Sequence, residues 1–289
     1  MTEAEKVLLD LLDVERLEVD LFRGTGSGGE TPMRIFGGQV IAQALAAAYR
    51  TVDNRLCHSL HAYFIRPGDP SIPVIYQVDR ARDGGSFTTR RVVAIQHGKQ
   101  ILNMSASFHI QDEGWDHQHD MPEMETPESY PSRSELKKKY LDKVPPSFRG
   151  ELTRERPIEV REVGHLDPFN PEKSDDRNQI WFRMGAAANA DAVTQHLLLA
   201  YASDMYLMSS GMRPHGLSWF TGEVNGASLD HAIWFHAPLK FENWHLYSMD
   251  SPWGGRGRNF NRGSIYSEDG VLVASVAQEG LMRRPQNKS

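Results

Sequence analysis

The feature that most constrains this fold is an order of predicted elements that occurs twice along the chain. A helix rich in small residues runs from Phe36 to Tyr49, and four strand-like segments follow it between His58 and Ile110. In the second half, a helix from about Asp191 to Ser209 is again followed by four strand-like segments, between Ser228 and Met282. Strands that succeed one another without intervening helices favour an antiparallel sheet. The sequence therefore predicts an α+β fold whose strands wrap apolar helices.

Spaced identities support two similar halves. His61-Ala62 and His231-Ala232 lie 170 positions apart, and so do Gly84-Gly85 and Gly254-Gly255. Identity between the halves is otherwise thin. We interpret the second half as a diverged repeat of the first.

The composition changes between the two halves. Residues 112–150 are rich in Asp, Glu, Pro, His and Lys, which predicts a surface connector with one helix near Ser134–Lys143. The predicted N-terminal domain is then 1–111 and the C-terminal domain 151–289. A chain of 289 residues can bury a core without disulfides or a structural metal.

Charge and cysteine content exclude several classes of protein. The net charge is −6 and the pI about 6.1, which disfavours a nucleic-acid-binding protein. The single cysteine, Cys57, cannot form an intrachain disulfide. No apolar run approaches the ~20 residues of a membrane span, so we predict a cytoplasmic protein. The run His117–Asp120 has no companion ligands at metal-site spacing, and we predict neither a metal nor a cofactor.

Familiar signatures of catalysis are missing. The chain contains no Gly-x-Ser-x-Gly nucleophile elbow, no Walker loop and no zinc-protease histidine pair. The stretch from Gly24 to Pro32 is rich in glycine, but no parallel strand unit frames it, so we interpret it as a loop and not as a phosphate cradle.

Asp204 is the most informative single residue. On helical spacing it places a carboxylate on an apolar face. Burying an unpaired charge costs several kcal/mol, so this acid needs partners or a raised pKa. It is therefore either a functional acid or a helix acid satisfied by nearby polar groups. Its neighbours on that face are Leu197, Ala200, Tyr201, Leu207 and Met208.

Two further polar residues lie among apolar strand positions. Gln278 follows Leu272, Ala274 and Val276 on one strand face and needs hydrogen-bond partners if buried. Ser228 is expected to share a face with Asp230, Ala232 and Trp234. Each residue alone also fits a purely structural role, and the same holds for His58, His61 and His231.

Arginines are concentrated near the paired glycine turns. In an acidic protein this local excess suits an anionic ligand, although ordinary surface charge explains it equally well. The residues are Arg66, Arg80, Arg82, Arg90, Arg91, Arg256, Arg258 and Arg262.

Nine short motifs together point to a known family. In the first half they are Phe36–Val40, His58–Phe64, Arg66–Asp69, Ser86–Val92 and Ala106–Phe108; in the second, Ala202–Asp204, Ser228–His231, Trp234–His236 and Gln278–Leu281. In these motifs the chain resembles the type II, TesB-like acyl-CoA thioesterases. The resemblance covers nearly the whole chain outside the connector.

The resemblance implies a double hotdog fold and the hydrolysis of acyl-CoA to a free fatty acid and CoA, here of medium to long chain length. It implies that Asp204, Ser228 and Gln278 form the catalytic triad. A thioester carbonyl needs only a well-placed water, which Asp204 can orient and deprotonate while Ser228 and Gln278 hold it. Ala48 in the first helix is expected near the place of Asp204, so the first domain has lost its acid.

Contacts to CoA and to other copies are also expected. We predict that His58, Arg90, Arg91, Arg258 and Arg262 bind the substrate, with the arginines meeting the CoA phosphates. Family habit and exposed strands suggest a homo-oligomer, a dimer or a tetramer.

Two other functions remain open at this point. One is a hotdog-fold enoyl-CoA hydratase that uses His58 or another histidine as its base. The other is a non-catalytic acyl-CoA-binding protein, which the degenerate first half suggests.

Overall fold

The computed structural model describes residues 1–26, 34–144, 149–150 and 154–285. Most of the loop predicted from Gly24 to Pro32 lies outside the described residues. The longer helices are α1 (Glu3–Leu12), α2 (Gly37–Tyr49), α3 (Arg133–Tyr140) and α4 (Ala192–Ala202).

The strands follow the predicted order. In the first half they are β1 (Glu15–Glu18), β2 (Leu21–Gly24), β3 (Leu56–Phe64), β4 (Val74–Asp83), β5 (Phe87–Gln96) and β6 (Lys99–His109). In the second half they are β7 (Glu159–Val163), β8 (Asn178–Arg183), β9 (Asn225–Ser228), β10 (Asp230–Phe235), β11 (His245–Gly255), β12 (Arg258–Ser267) and β13 (Leu272–Arg283).

All of these strands belong to one antiparallel sheet. Its order is β1-β2-β4-β5-β6-β3-β10-β13-β12-β11-β8-β7, with β9 also paired to β13. The halves meet where β3 pairs with β10, from Tyr63 opposite Asp230 to Ser59 opposite Trp234. Each half contributes a meander and one central helix, which confirms the predicted double hotdog.

The two central helices are buried because small residues let them approach closely. Twelve of the thirteen residues of α2 are buried, from Gly38 to Tyr49. A Cβ on Gly38 would lie 2.3 Å from the backbone oxygen of Tyr201 in α4. The N-terminus of α2 thus lies against the C-terminal end of α4.

The connector makes more contacts with the sheet than predicted. Its helix is confirmed as α3, and Trp115 is fully exposed. The amide of Gln118, however, donates to Gly270 O (2.8 Å) and accepts from Leu272 N (3.0 Å). Met121, Met124 and Tyr130 pack on a second apolar cluster, formed by Trp181, Trp244, Leu246 and Tyr266. The connector therefore covers part of the sheet face that points away from α4.

The spaced identities do not mark equivalent positions. His231 is buried, whereas His61 is exposed and packs edge-on against Trp234 at 5.1 Å. Gly84-Gly85 lies in the β4–β5 turn, but Gly254-Gly255 ends strand β11. The element order repeats, as predicted, but the equivalence inferred from the 170-residue spacing is wrong.

Candidate active site

Asp204 lies beyond the end of α4 and not within a helix. The helix ends at Ala202, seven residues before the predicted end at Ser209. The chain then turns through Tyr206, whose φ is +63°, into a short 3₁₀ turn that begins at Leu207. The apolar spacing that extends past Asp204 arises from this turn. Asp204 therefore projects its half-buried carboxylate from the segment between α4 and the 3₁₀ turn, and not from the side of a helix.

The end of α4 is held by two hydroxyl groups. Ser203 Oγ donates to Ala200 O (3.0 Å), and the Tyr247 hydroxyl donates to Ser203 O (2.7 Å). Because Ser203 directly precedes Asp204, these bonds fix the backbone from which the carboxylate projects.

The carboxylate of Asp204 receives hydrogen bonds from both halves of the chain. Ser228 Oγ donates to Oδ1 at 3.1 Å, and Gly38 N–H donates to Oδ2 at 3.0 Å. Phe36, the N-cap of α2, gives that helix no side-chain cap. Asp204 therefore satisfies an amide of α2 that would otherwise lack a partner, at the positive end of the helix dipole.

A β-bulge turns Ser228 toward Asp204. Ser228 is paired with Gly280, whereas Ala232 is paired with Ala277, so one extra residue lies in the β9–β10 strand. Such an insertion re-aims a side chain. The predicted common face of Ser228 with Asp230, Ala232 and Trp234 is therefore wrong. Ser228 lies on the helix-bearing face of the sheet.

Gln278 links Ser228 to a buried histidine. It lies on the buried face of β13 with Ala274 and Val276, as predicted, and is 1% exposed. Leu272, predicted on the same face, instead packs on the second apolar cluster, because the pairing of β13 with β12 shifts register between Leu272 and Ala274. Its Nε2 donates to Ser228 Oγ at 2.9 Å, and its Oε1 lies 2.6 Å from His231 Nδ1. The structure thus brings Asp204, Ser228 and Gln278 together in one hydrogen-bonded chain.

Burial raises the pKa of the Asp204 carboxyl group above its ordinary value. His231 and the hydrogen bonds from Ser228, Gly38 and Gln278 act in the opposite direction but do not cancel the effect of burial. A carboxylate with a raised pKa is a stronger base than an exposed one, which suits proton abstraction.

Sequence reasoning missed two residues of this site, Gly38 and His231. Gly38 belongs to a motif that we noted only for its resemblance, and His231 looks like an ordinary strand histidine. A Phe-Gly-Gly helix start without a capping side chain was an available signal. The neighbouring Gly37 leaves space for the acid, because a Cβ there would lie 2.6 Å from Asp204 Oδ2.

His58 lies apart from this site. It is the extra residue of a bulge in β3, its Nε2 lies 2.8 Å from Ser107 Oγ, and its ring packs edge-on against Phe87 and His109. Phe87 is exposed, so this cluster is on the outer face of the sheet. Burial lowers the pKa of His58. The structure therefore separates His58 from Asp204.

Arg90 is not available to an anionic ligand. It is 1% exposed, and its guanidinium donates to Thr51 Oγ1 (2.8 Å), Thr51 O (2.9 Å) and Asp83 Oδ1 (2.6 Å). It also donates to the backbone oxygens of Arg82 and Thr89. The prediction that Arg90 contacts CoA is contradicted by this burial.

The three other predicted arginines point away from α4. Arg91 is exposed next to the buried Arg90. Arg258 Nε lies 3.5 Å from Glu279 Oε1. Arg262 forms a bidentate salt bridge with Asp250, from Nε to Oδ1 (2.9 Å) and from Nη2 to Oδ2 (2.7 Å). Their role toward CoA stays a prediction.

The first half has a counterpart of this site that lacks its polar groups. Strands β3 and β6 are also offset by one residue next to Cys57, and Leu60 is paired with Ala106. Counting from the two bulges, Cys57 corresponds to Ser228, Leu60 to His231 and Ala106 to Gln278.

Asp204 also has a counterpart in the first half. Asp204 lies two residues after the last residue of α4, and Thr51 lies two after the last residue of α2. The position assigned to Ala48 is therefore wrong, although the inference that the first half lacks the acid holds. Arg90 reaches into this counterpart through its bonds to Thr51.

The tandem hotdog sheet, with a half-buried carboxylate at the junction of the two central helices, has the architecture of a hotdog-fold enzyme. Residues 148–281 match the acyl-CoA thioesterase family and residues 28–109 match the acyl-CoA thioesterase N-terminal domain. The chain belongs to the acyl-CoA thioesterase family and is a thioester hydrolase.

Relatives cover almost the whole chain. Acyl-CoA thioesterase 2 of Haemophilus influenzae is 36% identical, covering 98% of this chain and 99% of its own. Acyl-coenzyme A thioesterase 8 of Homo sapiens is 37% identical, covering 96% and 89%. The crystal structure of the acyl-CoA thioesterase II TesB2 from Mycobacterium marinum is similar with a TM-score of 0.77 and 38% identity, covering 98% and 99%.

In the part of the chain that the structure describes, no helix is long and apolar enough to cross a membrane.

Proposed function

We propose that this protein hydrolyses medium- to long-chain acyl-CoA by direct attack of a water molecule on the thioester carbonyl, with Asp204 as general base. The observation that carries this proposal is the hydrogen-bonded chain from Asp204 through Ser228 to Gln278. Asp204 and Ser228 are half-buried while Gln278 is buried, so the proposed water lies against the first two.

Each group has a distinct role in the proposed step. The water oxygen bonds to the carbonyl carbon while one water proton moves to Asp204. The tetrahedral intermediate then collapses, the carbon–sulfur bond breaks, and the proton passes from Asp204 to the departing CoA thiolate. Ser228 donates a hydrogen bond to Asp204 and accepts one from Gln278. In the proposed step it orients the base and the water, and the water is the nucleophile.

Two features of the surroundings support an acyl thioester as substrate. The N-terminus of α2 points at the reacting region, where its dipole favours negative charge that develops on the carbonyl oxygen. Apolar side chains border the carboxylate: Phe64 lies beside Gly37, Phe36 beside Gly38, and Met208 Sδ is 3.9 Å from Ser228 Oγ. This apolar lining fits a hydrocarbon chain.

For the hydratase alternative, His58 is unsuitable as the base because it lies on the outer face of the sheet, and the other histidine at the site, His231, is held between Gln278 and Ser203. A simple binding protein has no need of a carboxylate hydrogen-bonded to Ser228 and to the first turn of α2. We therefore retain hydrolysis by a cytoplasmic homo-oligomer as the proposal.

The decisive experiment measures CoA release from a panel of saturated acyl-CoA substrates of increasing chain length. We expect steady turnover with the highest kcat/KM at medium to long chain lengths, and no acyl adduct on the protein by intact mass during turnover. Saturable binding without CoA release would favour the binding protein. Formation of 3-hydroxyacyl-CoA from an enoyl-CoA would favour the hydratase, and a serine-linked acyl group would contradict direct attack by water.

The pH dependence of turnover follows from the raised pKa of Asp204. Only the ionised form can accept a proton, so kcat should fall as the pH drops through a value above the ordinary carboxyl pKa. The measurement is kcat from pH 4 to 8 with CoA quantified by chromatography, which avoids a pH-sensitive thiol reagent. An acidic limb at the ordinary carboxyl value, or none, would contradict Asp204 as a buried base.

A further inference from the structure

We propose that His231 is a positioning residue that fixes the amide orientation of Gln278 and the end of α4 together, and so holds both ends of the catalytic hydrogen-bond chain. This inference rests on the proposed function. His231 is 1% exposed on the helix-bearing face of β10. Its Nδ1 lies 2.6 Å from Gln278 Oε1, and its Nε2 lies 2.8 Å from Ser203 Oγ.

The hydrogen-bond inventory selects one orientation for each group. An ionised Asp204 only accepts, so Ser228 must donate its hydroxyl proton to Oδ1. Ser228 Oγ then needs a donor from Gln278, which places Nε2 on Ser228 and Oε1 on His231. Because Oε1 accepts only, His231 Nδ1 must carry a proton.

The other ring nitrogen connects to the catalytic acid through the backbone. Ser203 Oγ lies within hydrogen-bond distance of both His231 Nε2 (2.8 Å) and Ala200 O (3.0 Å). Ser203 has one hydroxyl proton, so when His231 is neutral its Nε2 accepts that proton in place of Ala200 O. Since Asp204 follows Ser203, the His231 ring on β10 positions both the backbone next to Asp204 and the side-chain amide of Gln278.

The first half shows what this position becomes without catalysis. Leu60 occupies the place of His231 and lies opposite Ala106, which occupies the place of Gln278. Both polar partners are thus absent together, as expected if the histidine serves the glutamine.

The consequence of removing the ring follows from the same inventory. In His231→Leu, the buried Gln278 oxygen loses its donor, so no partner on that side fixes whether the oxygen or the nitrogen of the amide faces Ser228. In molecules with the amide rotated, the Ser228 hydroxyl donates to Gln278 instead of Asp204, and the water-binding geometry is lost. Misplacing a catalytic group or water by about 1 Å can lower the rate by about a hundredfold.

The test compares His231→Leu, His231→Asn and Gln278→Ala, with His61→Leu on the outer face as a control. We expect His231→Leu to lower kcat by about 10- to 100-fold with little change in KM. The amide nitrogen of His231→Asn can take the place of Nδ1 and should restore a large part of kcat. The double variant His231→Leu/Gln278→Ala should be no slower than Gln278→Ala, because both changes remove one link.

A second measurement does not depend on activity. Nitrogen-15 NMR of the His231 ring in the unmodified protein should show a proton on Nδ1 at neutral pH. Additive losses in the double variant, no rescue by asparagine, or an unprotonated Nδ1 would overturn the positioning role. An unmodified protein that released no CoA from any substrate would overturn the proposed function, whereas the NMR result would still decide the hydrogen-bond assignment.

Discussion

Replacing Asp204 with asparagine should lower kcat by about a thousandfold, within the 10²–10⁴ that a general base contributes. The amide keeps the shape of the carboxylate and retains an acceptor for Gly38 N–H, but it cannot take a proton from water. CoA release under saturating substrate measures the loss. Binding of a non-hydrolysable acyl-CoA thioether should remain close to that of the unmodified protein.

The same variant should unfold at a higher temperature. A carboxyl group whose pKa is raised by folding binds its proton more tightly in the folded state than in the unfolded state. Ionisation of Asp204 therefore destabilises the fold as the pH rises above the unfolded pKa, and a neutral side chain removes this cost. Calorimetry at pH 7 checks the sign.

Asp250→Asn is the matched control, because Asp250 pairs with Arg262 on the exposed face of the sheet. It should change neither kcat nor the unfolding temperature by much, since exposed ion pairs contribute ~0–1 kcal/mol. Full activity of the Asp204→Asn variant would contradict the assignment of Asp204 as the general base.

Gly38→Ala should reduce both stability and activity. The new methyl group would lie 2.3 Å from Tyr201 O and 2.6 Å from the Phe36 ring, so α2 and α4 must separate. Overpacking of this kind costs about 1–3 kcal/mol, which exceeds the helix propensity gained by alanine, at most about 1 kcal/mol. Separation of the helices also lengthens the bond from Gly38 N–H to Asp204.

The expected result is a lower unfolding midpoint in urea together with a loss of kcat of at least tenfold. Gly85→Ala is the control, because a Cβ on Gly85 meets nothing within 4 Å. Unchanged kcat in Gly38→Ala would show that the contact between α2 and Asp204 is dispensable for catalysis.

The sequence contained enough information for the fold and for the three main polar residues. A helix followed by a β-meander could be predicted twice, because in each half an apolar helical segment is followed by strand-like segments without a further helix between them. Asp204 and Gln278 stand out because each is polar among apolar neighbours, and a buried polar group requires partners. That reasoning needs only local spacing, so it succeeded for Gln278, Ala274 and Val276. It failed for Leu272, because the pairing of β13 with β12 shifts register between Leu272 and Ala274.

Features that depend on long-range contacts could not be predicted. Gly38 and Asp204 are 166 positions apart and meet only when α2 packs on α4. The bulge that turns Ser228 depends on pairing with β13, not on the residues of β9. Arg90 resembles a surface arginine because strand alternation alone does not reveal which face of β5 is covered.

The junction of the halves has a consequence for how such an enzyme diverges. In an assembly of two identical single-hotdog chains, any substitution would appear at both symmetry-related centres at once. Joined in one chain, the halves can change separately, so Leu60 and Ala106 can fill the first centre while His231 and Gln278 are kept in the second. The amide of Gly38 still comes from the first half, so the centre in the second half depends on both halves.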